Sequence, residues 1–296
     1  MKHHSRLNLD SNFTKEALRP RILSHLNQLT GDRDPFLASG SHWLVQQYIR
    51  AQFSKWGTAE AYPFEFRGQT YTNWVLRLPS QTISSKAPLI VGAHYDAVPG
   101  TPGADDNASG VAVLLELVHY FAHHPPAVPI WFVAFDLEEY GLLGSCAYAE
   151  TLRQERQPVR LMLSLEMLGY CDRASNSQHY PSPLLKRLYP DTGDFIALIG
   201  NWGIIPVMRS LGQHIKRAGT ACEWLPVVNG GKMIPATRLS DHASFWDCGY
   251  RAMMVTDTAF LRNPHYHQPS DCVETLDLDF MAQICQGLIM GLRSFV

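Results

Sequence analysis

HYDAVPGTPGADDNASG, residues 94–110, is the stretch from which the rest of the chain can be read. A continuous apolar run, 89–93, precedes it, and a strongly apolar helical pattern, 108–121, follows it. A run that is apolar at every position is what a strand covered on both faces requires, so the segment reads as strand, loop and helix, the unit of an α/β fold. The loop itself is too rich in glycine and proline to be core. Within it His94 stands two residues before Asp96, and twelve residues after His94 comes Asp106, at the mouth of the helix. Histidine and carboxylates in such a loop point to a metal site, provided that further ligand types recur at other strand ends.

Outward from this stretch, helix and strand alternate. On the N-terminal side, residues 17–57 carry two helical patterns, Leu18, Ile22, Leu26 and Leu29 for the first and Leu44, Tyr48, Ile49 and Phe53 for the second, which ends at Gly57. The period then changes to two over 62–66 and 71–78, as in paired strands. On the C-terminal side, strands are expected at 130–135, 161–165, 195–199 and 252–256, with a helix over 145–154. Met281, Ile284, Leu288 and Leu292 put one apolar face on a closing helix, with Asp277 as its N-cap. Residues 200–240, with Gly203, Pro206, Gly212, Gly230, Gly231 and Pro235, read as the least regular part, lining or covering a pocket. The expectation is one domain over 1–296: a three-layer α/β/α arrangement around a central, mostly parallel (mixed) sheet, with the helices of about 15–57 packed on it and sites beyond the carboxyl ends of the strands.

A formal net charge of -2 gives no reason to expect nucleic acid or an anionic membrane as partner. The six cysteines, Cys146, Cys171, Cys222, Cys248, Cys272 and Cys285, form no C-x-x-C pair, which argues against a zinc knuckle or a redox motif. No apolar run approaches the ~20 residues needed to cross a bilayer, and the first twenty residues lack the apolar centre of a secretory signal. The expectation is a cytoplasmic protein with free thiols, or a secreted or periplasmic one if the chain has been trimmed. His3, His4, His123 and His124 are expected to face solvent.

Polar clusters follow the apolar runs. They are His94-Tyr95-Asp96, Asp136-Leu137-Glu138-Glu139, Glu166 in LSLEMLGY and His267 in NPHYHQPSD, with Asp105-Asp106 before a helix. Singly, each has a plain explanation: a hydrogen-bonded structural histidine, a solvated turn, or a helix cap. Independent caps do not predict their joint occurrence at successive strand ends, whereas a shared metal site does. Two histidines and three carboxylates suit zinc, and a bridging carboxylate permits a pair of ions. Asp96 is placed to accept the second imidazole proton of His94, and Glu138, beside Glu139, is the candidate general base.

These residues resemble the co-catalytic dizinc aminopeptidases of metallopeptidase family 28, which also embraces glutaminyl cyclases and glutamate carboxypeptidases. The motifs are GAHYD, PGADDNASG, FDLEEYGLLGS, LEMLGY, SDHASFWDCGY and YHQPSD, and the resemblance runs from about Trp43 to the C-terminus. It implies the zinc-exopeptidase (phosphorylase/hydrolase-like) architecture and two zinc ions per chain. His94 and Glu166 would hold one, Glu139 and His267 the other, and Asp106 would bridge them, with Glu138 as base and Asp96 orienting His94. The activity implied is hydrolysis of the first peptide bond of a peptide with a free N-terminus. A glutaminyl cyclase with a single zinc is the alternative within the family, and a binding relative without catalysis is the rival outside enzymology. Relatives of that last kind lose ligands or the base, whereas all are present here. One departure is Thr237, where several members place a tyrosine that stabilises the tetrahedral intermediate, three residues before Ser240-Asp241-His242. Asp241 and His242 read as supporting residues, and Asp271 as either a partner of His267 or a cap. An apolar pocket for large hydrophobic N-terminal residues is a possibility carried by Phe195, Ile199, Trp202, Ile204, Met208, Met233 and Ile234, against the simpler reading that they are core.

Overall fold

Strand β3 (Leu89–His94) is buried at all six positions, which places it inside a sheet with both faces covered. The structure, a computed structural model, describes residues 10–81 and 86–295, so the expectation for His3 and His4 lies outside the described residues. The chain enters through α1 (Lys15–Leu29) and α2 (Ser39–Ser54), then the hairpin β1 (Ala59–Phe66) and β2 (Gln69–Leu78). After β3 come α3 (Gly110–His123), β4 (Ile130–Phe135), α4 (Leu143–Gln154), β5 (Leu161–Glu166), α5 (Pro183–Leu188), β6 (Phe195–Asn201), α6 (Ile205–Ala218) and β7 (Ala221–Val227). Helix α7 (His242–Asp247), β8 (Ala252–Thr256) and α8 (Leu278–Arg293) complete the chain.

The sheet order is β1-β2-β4-β3-β5-β8-β6-β7. Its centre, β4-β3-β5-β8, is parallel, as is the β6–β7 edge pair, while β1–β2, β2–β4 and β8–β6 are antiparallel. The mixed α/β sheet expected from the sequence is therefore present. One hydrophobic cluster runs from Phe13 and α1 through α3 and the central strands to Leu292, so the N-terminal helices share the core of the sheet. The closing helix begins where expected: the Asp277 carboxylate accepts from the N–H groups of Asp279 and Phe280.

Two expectations are corrected. In α2 the buried stripe is His42, Val45, Ile49 and Phe53, and Leu44 is exposed. A histidine takes the inward position because a buried carboxylate waits there: His42 Nε2 is 2.8 Å from Asp136 Oδ1. Residues 200–240 are not irregular throughout, since they hold α6 and β7. Helix α6 buries Met208, Leu211, Gly212 and Ile215, a regular helical stripe opposite Arg209, Gln213 and Lys216, which the surrounding glycines and prolines obscured in the sequence. Pro206 sits in its first turn, where a missing N–H costs nothing. Pro226 lies in the edge strand β7, which pairs on one side only.

Candidate metal centre

The parallel strands end at one edge of the sheet, and the site is assembled there. Strand β3 ends in His94 and β5 ends in Glu166. Glu138 and Glu139 follow β4, His267 lies in the loop after β8, and Asp106 comes from the loop between β3 and α3. Backbone strain accompanies the delivery: Leu137, Met167 and His267 have φ of 55°, 49° and 56°. Side chains adopt this left-handed region at a cost of about 1–2 kcal/mol each. Such strain persists where the surrounding structure fixes it, and it concentrates at functional sites.

Asp106 is at the centre. Its Oδ1 is 3.3 Å from His94 Nε2 and its Oδ2 is 3.1 Å from His267 Nε2. His94 Nε2 is also 3.6 Å from Glu166 Oε2 and 4.0 Å from Glu138 Oε2, and His267 Nε2 is 3.4 Å from Glu139 Oε2. Donor atoms of His94, Glu138 and Glu166, and of His94, Asp106 and Glu139, lie within 4.8 Å of one another. All five ligand candidates and Glu138 are thus brought together. His94 is fully buried, Asp106 and Glu166 nearly so, and the His267 side chain is 34% exposed, which leaves the cluster open on one side.

These side chains approach one another without satisfying one another. Both ring nitrogens of His94, Nε2 of His267 and Oε1 of Glu139 are buried and have no hydrogen-bond partner. Burial alone would lower the imidazole of His94, but Glu138, Glu166, Asp106 and Asp96 hold it well above the ordinary histidine value. Against the same burial effect, Asp106 and Glu139 raise His267 to about 10. Glu138 is pushed well above the ordinary carboxylate value by burial, and Glu139 to about 7 by burial and the Asp106 charge. Groups that hold protons this tightly describe a site short of positive charge, and a metal cation supplies it as the protons leave. Imidazole and carboxylate donors with orphaned atoms fit zinc.

Asp96 lies beside the His94 ring and also joins two loops. Its Oδ1 lies 3.4 Å from His94 Nδ1, and its two oxygens accept the backbone N–H groups of Glu138 and Glu139, both at 3.1 Å. The loop bearing Glu138 and Glu139 is thereby tied to the loop bearing His94. Ser240 donates to Glu166 Oε2 at 2.8 Å and is itself 2.7 Å from Ser164 Oγ. Asp271 neither caps the turn after it nor reaches the His267 ring, because both its oxygens accept from Asp105 and Asp106 N–H. Asp136 turns away to His42 and the Tyr95 hydroxyl, and Asp105 to Gly169 N–H and the Asn263 amide. His242 is fully buried, lies 2.8 Å from the Thr237 carbonyl, and is held down to about 4 by burial. It supports the fold behind the site. Asp241, also buried, has no hydrogen-bond partner at either carboxylate oxygen. His123 is exposed as expected, whereas His124 stacks on Tyr120 at 4.5 Å.

Two residues at the site were missed from the sequence. Tyr266 stacks on His267, ring centroids 3.7 Å apart, and borders the cavity beside Glu166. Its position next to a ligand candidate in YHQ was the available signal. Arg33 is 1% exposed and directs its guanidinium at backbone carbonyls of the His94–Asp106 loop. An arginine in GDRDPF gives no such signal, because its partners are peptide groups some sixty to seventy residues away.

An apolar cavity of about 60 Å³ adjoins Glu166 and Tyr266, walled by Leu239, Met254 and Phe260. A second, of about 70 Å³, lies beyond it among Tyr180, Leu185, Tyr189, Phe195, Trp224 and Leu225. Ile199, Ala236, Thr258 and Leu261 border both. Of the apolar residues singled out in the sequence, Phe195, Ile199 and Ile234 line these cavities, Ile204 and Met208 are core, and Trp202 and Met233 are exposed.

Among the described residues no helix is long and apolar enough to cross a membrane. The profile of peptidase family M28 matches residues 73–290. Uncharacterized protein YfbL of Escherichia coli (strain K12) is 41% identical over 216 residues, 68% of this chain and 65% of that protein. Leucine aminopeptidase 1 of Trichoderma harzianum is 25% identical over 311 residues, 96% of this chain and 70% of that protein. Among solved structures, BSAP, a zinc aminopeptidase from Bacillus subtilis, is 25% identical with a TM-score of 0.59 and covers 76% of this chain and 50% of its own. The glutaminyl cyclase of Bacteroides thetaiotaomicron, 16% identical with a TM-score of 0.68 over 98% of this chain and 100% of its own, shares the fold. With the profile spanning most of the chain, from within β2 into the closing helix, the protein belongs to peptidase family M28.

Proposed function

We propose that this chain is a zinc-dependent aminopeptidase that hydrolyses the N-terminal bond of peptides. The observation that carries the proposal is the set of orphaned donors around Asp106, whose two oxygens each face a different imidazole. In this reading His94 and Glu166 would hold one zinc and Glu139 and His267 a second, with Asp106 between them as a ligand. Zinc, when bound, supplies Lewis acidity toward a carbonyl and makes water acidic enough to ionise near neutral pH. Glu138, partly buried with its Oε2 4.0 Å from His94 Nε2, holds the proton taken from water at its carboxylate and passes it to the leaving nitrogen. Burial raises the Tyr266 phenol, so it stays protonated and is able to donate to the carbonyl oxygen as charge develops there. That assignment fills the role left open by Thr237, whose hydroxyl is spent on the Ile234 carbonyl at 2.7 Å. The apolar cavity beside Glu166 receives the N-terminal side chain, and the surplus of carboxylates favours a free α-amine over a blocked one.

The test is release of p-nitroaniline from aminoacyl substrates, with a glutaminyl peptide included, by zinc-loaded and chelator-stripped protein. Cleavage lost on chelation and restored by zinc is expected. Formation of pyroglutamate without cleavage would instead make the protein a cyclase, and silence on all substrates by zinc-loaded, folded protein would remove both enzymatic readings.

A further inference from the structure

The peptide groups of Asp106 are gripped from two sides by side chains of opposite charge. Asp271, 1% exposed, accepts from Asp105 N–H at 2.9 Å and from Asp106 N–H at 3.1 Å. Arg33, equally buried, donates to the Asp106 carbonyl at 3.1 Å and also to the carbonyls of Tyr95, Pro102 and Gly103 at 2.8, 2.7 and 2.8 Å. These carbonyls lie at both ends of the loop between His94 and Asp106, so one guanidinium closes it. Asp34, the next residue, takes the hydroxyl of Tyr140, which follows Glu139. Gly103 makes the grip possible: its φ is +57°, and a Cβ there would meet the Asp106 carbonyl and come within 2.8 and 2.9 Å of the Arg33 nitrogens. Arg33 lies outside the residues matched by the family profile, 73–290.

We propose that Arg33 and Asp271 are positioning residues that fix Asp106 as the shared ligand of the metal centre, the anion holding its N–H and the cation its carbonyl. The proposal rests on the reading of Asp106 as a metal ligand. Hydrogen bonds with one charged partner are about twice as strong as neutral ones. Here two of them act on a single residue from segments about 70 and 165 positions away in sequence, so the carboxylate is set before any ion arrives. A cap would spend Asp271 on its own following turn, whereas both its oxygens go to the N–H groups of residues 105 and 106.

The experiment compares Asp271→Asn and Arg33→Lys with wild type and with Glu116→Gln, a change at a buried carboxylate on helix α3 that touches none of the site residues. Hydrogen exchange over residues 100–110 is measured on chelator-stripped protein, and zinc affinity by competition with a chromogenic chelator. Asp271→Asn turns an acceptor into a donor facing an N–H, and Arg33→Lys keeps the charge but loses the fork. Exchange of the Asp105 and Asp106 amides should rise at least ~10-fold in both, and zinc should bind about 10- to 100-fold more weakly. Glu116→Gln should change neither. If Asp271→Asn is too unstable to assay, Arg33→Lys carries the test. Folded variants with exchange and zinc affinity within about twofold of wild type would overturn the proposal, as would an equal loss in Glu116→Gln. A wild-type chain that takes up no zinc sinks the metal reading of the site, and the clamp falls with it; zinc uptake indifferent to both variants overturns the clamp alone.

Discussion

Ile199 stands in the wall shared by the two apolar cavities, and its truncation should change which N-terminal residues are accepted. The cavities measure about 60 and about 70 Å³. Each is under half of the ~150 Å³ that an apolar cavity needs to hold benzene, and only when joined do they approach it. The wild-type protein should therefore favour aliphatic over aromatic N-terminal side chains. Ile199→Ala removes three carbons from the wall. A leucyl substrate loses their packing, about 1 kcal/mol, while an aryl side chain gains burial equivalent to two or three methylenes, about 2 kcal/mol. Together these amount to about 3 kcal/mol, so the ratio of kcat/KM for phenylalanyl over leucyl p-nitroanilide should rise by ~100- to 200-fold, the upper end of what a methylene or two commands in an apolar pocket. A variant that melts close to wild type but keeps the ratio within about threefold would refute the reasoning, because the wall would then not limit size.

Glu138→Gln should keep its zinc and its fold while kcat falls by about 10²–10⁴, read by metal analysis beside steady-state kinetics; near-normal turnover would remove the general-base role. Tyr266→Phe should lower kcat by about 10²-fold with little change in KM, as loss of one hydrogen bond made only in the transition state predicts. Away from the site, Glu116 is 1% exposed, ion-paired to Arg21 at 2.8 Å and close to His25 at 3.3 Å. Despite burial, which opposes it, hydrogen bonds from His119, His25 and Arg21 hold its carboxyl far below the ordinary value of 4.5. A depressed folded-state pKa means stability fully present above the unfolded value and lost as pH falls towards the folded one. Chemical denaturation between pH 6 and pH 3 should show that slope in wild type and a shallower one in Glu116→Gln, which itself costs about 1–3 kcal/mol at neutral pH. Equal slopes would mean that the cluster does not set the acid limit.

The sequence carried the sheet because burial on both faces leaves an unbroken apolar run, as in β3, and carried His94, Glu138, Glu139 and Glu166 because they stand at or just after the end of such a run, whereas Asp106 and His267 were legible from the polar motifs of their loops. It failed where the signal was shared or diluted. In α2 the apolar residues 44, 48, 49 and 53 suggested one stripe, but a buried Asp136 drew His42 inward and turned Leu44 out. In α6 the apolar residues 208, 211 and 215 do keep the helical period, yet the glycine and proline around them read as loop.

Local pattern alone thus determined the α/β class, the strand ends and the residue types able to bind a metal, since hydrophobic period and residue chemistry belong to a segment by itself. Tertiary structure decided which of the neighbouring acids faces the cluster. Asp106 enters it while Asp105 turns to Gly169 and Asn263, and Glu138 and Glu139 enter while Asp136 turns to His42 and Tyr95. It also supplied Arg33 and Tyr266, and turned Asp271 from a cap or a partner of His267 into the acceptor of the Asp105 and Asp106 N–H groups. The physical reason is that these choices are made by partners on other segments, either side chains such as His42, Tyr95 and Asn263 or the backbone N–H and carbonyl groups that every residue carries, and a segment read by itself shows neither.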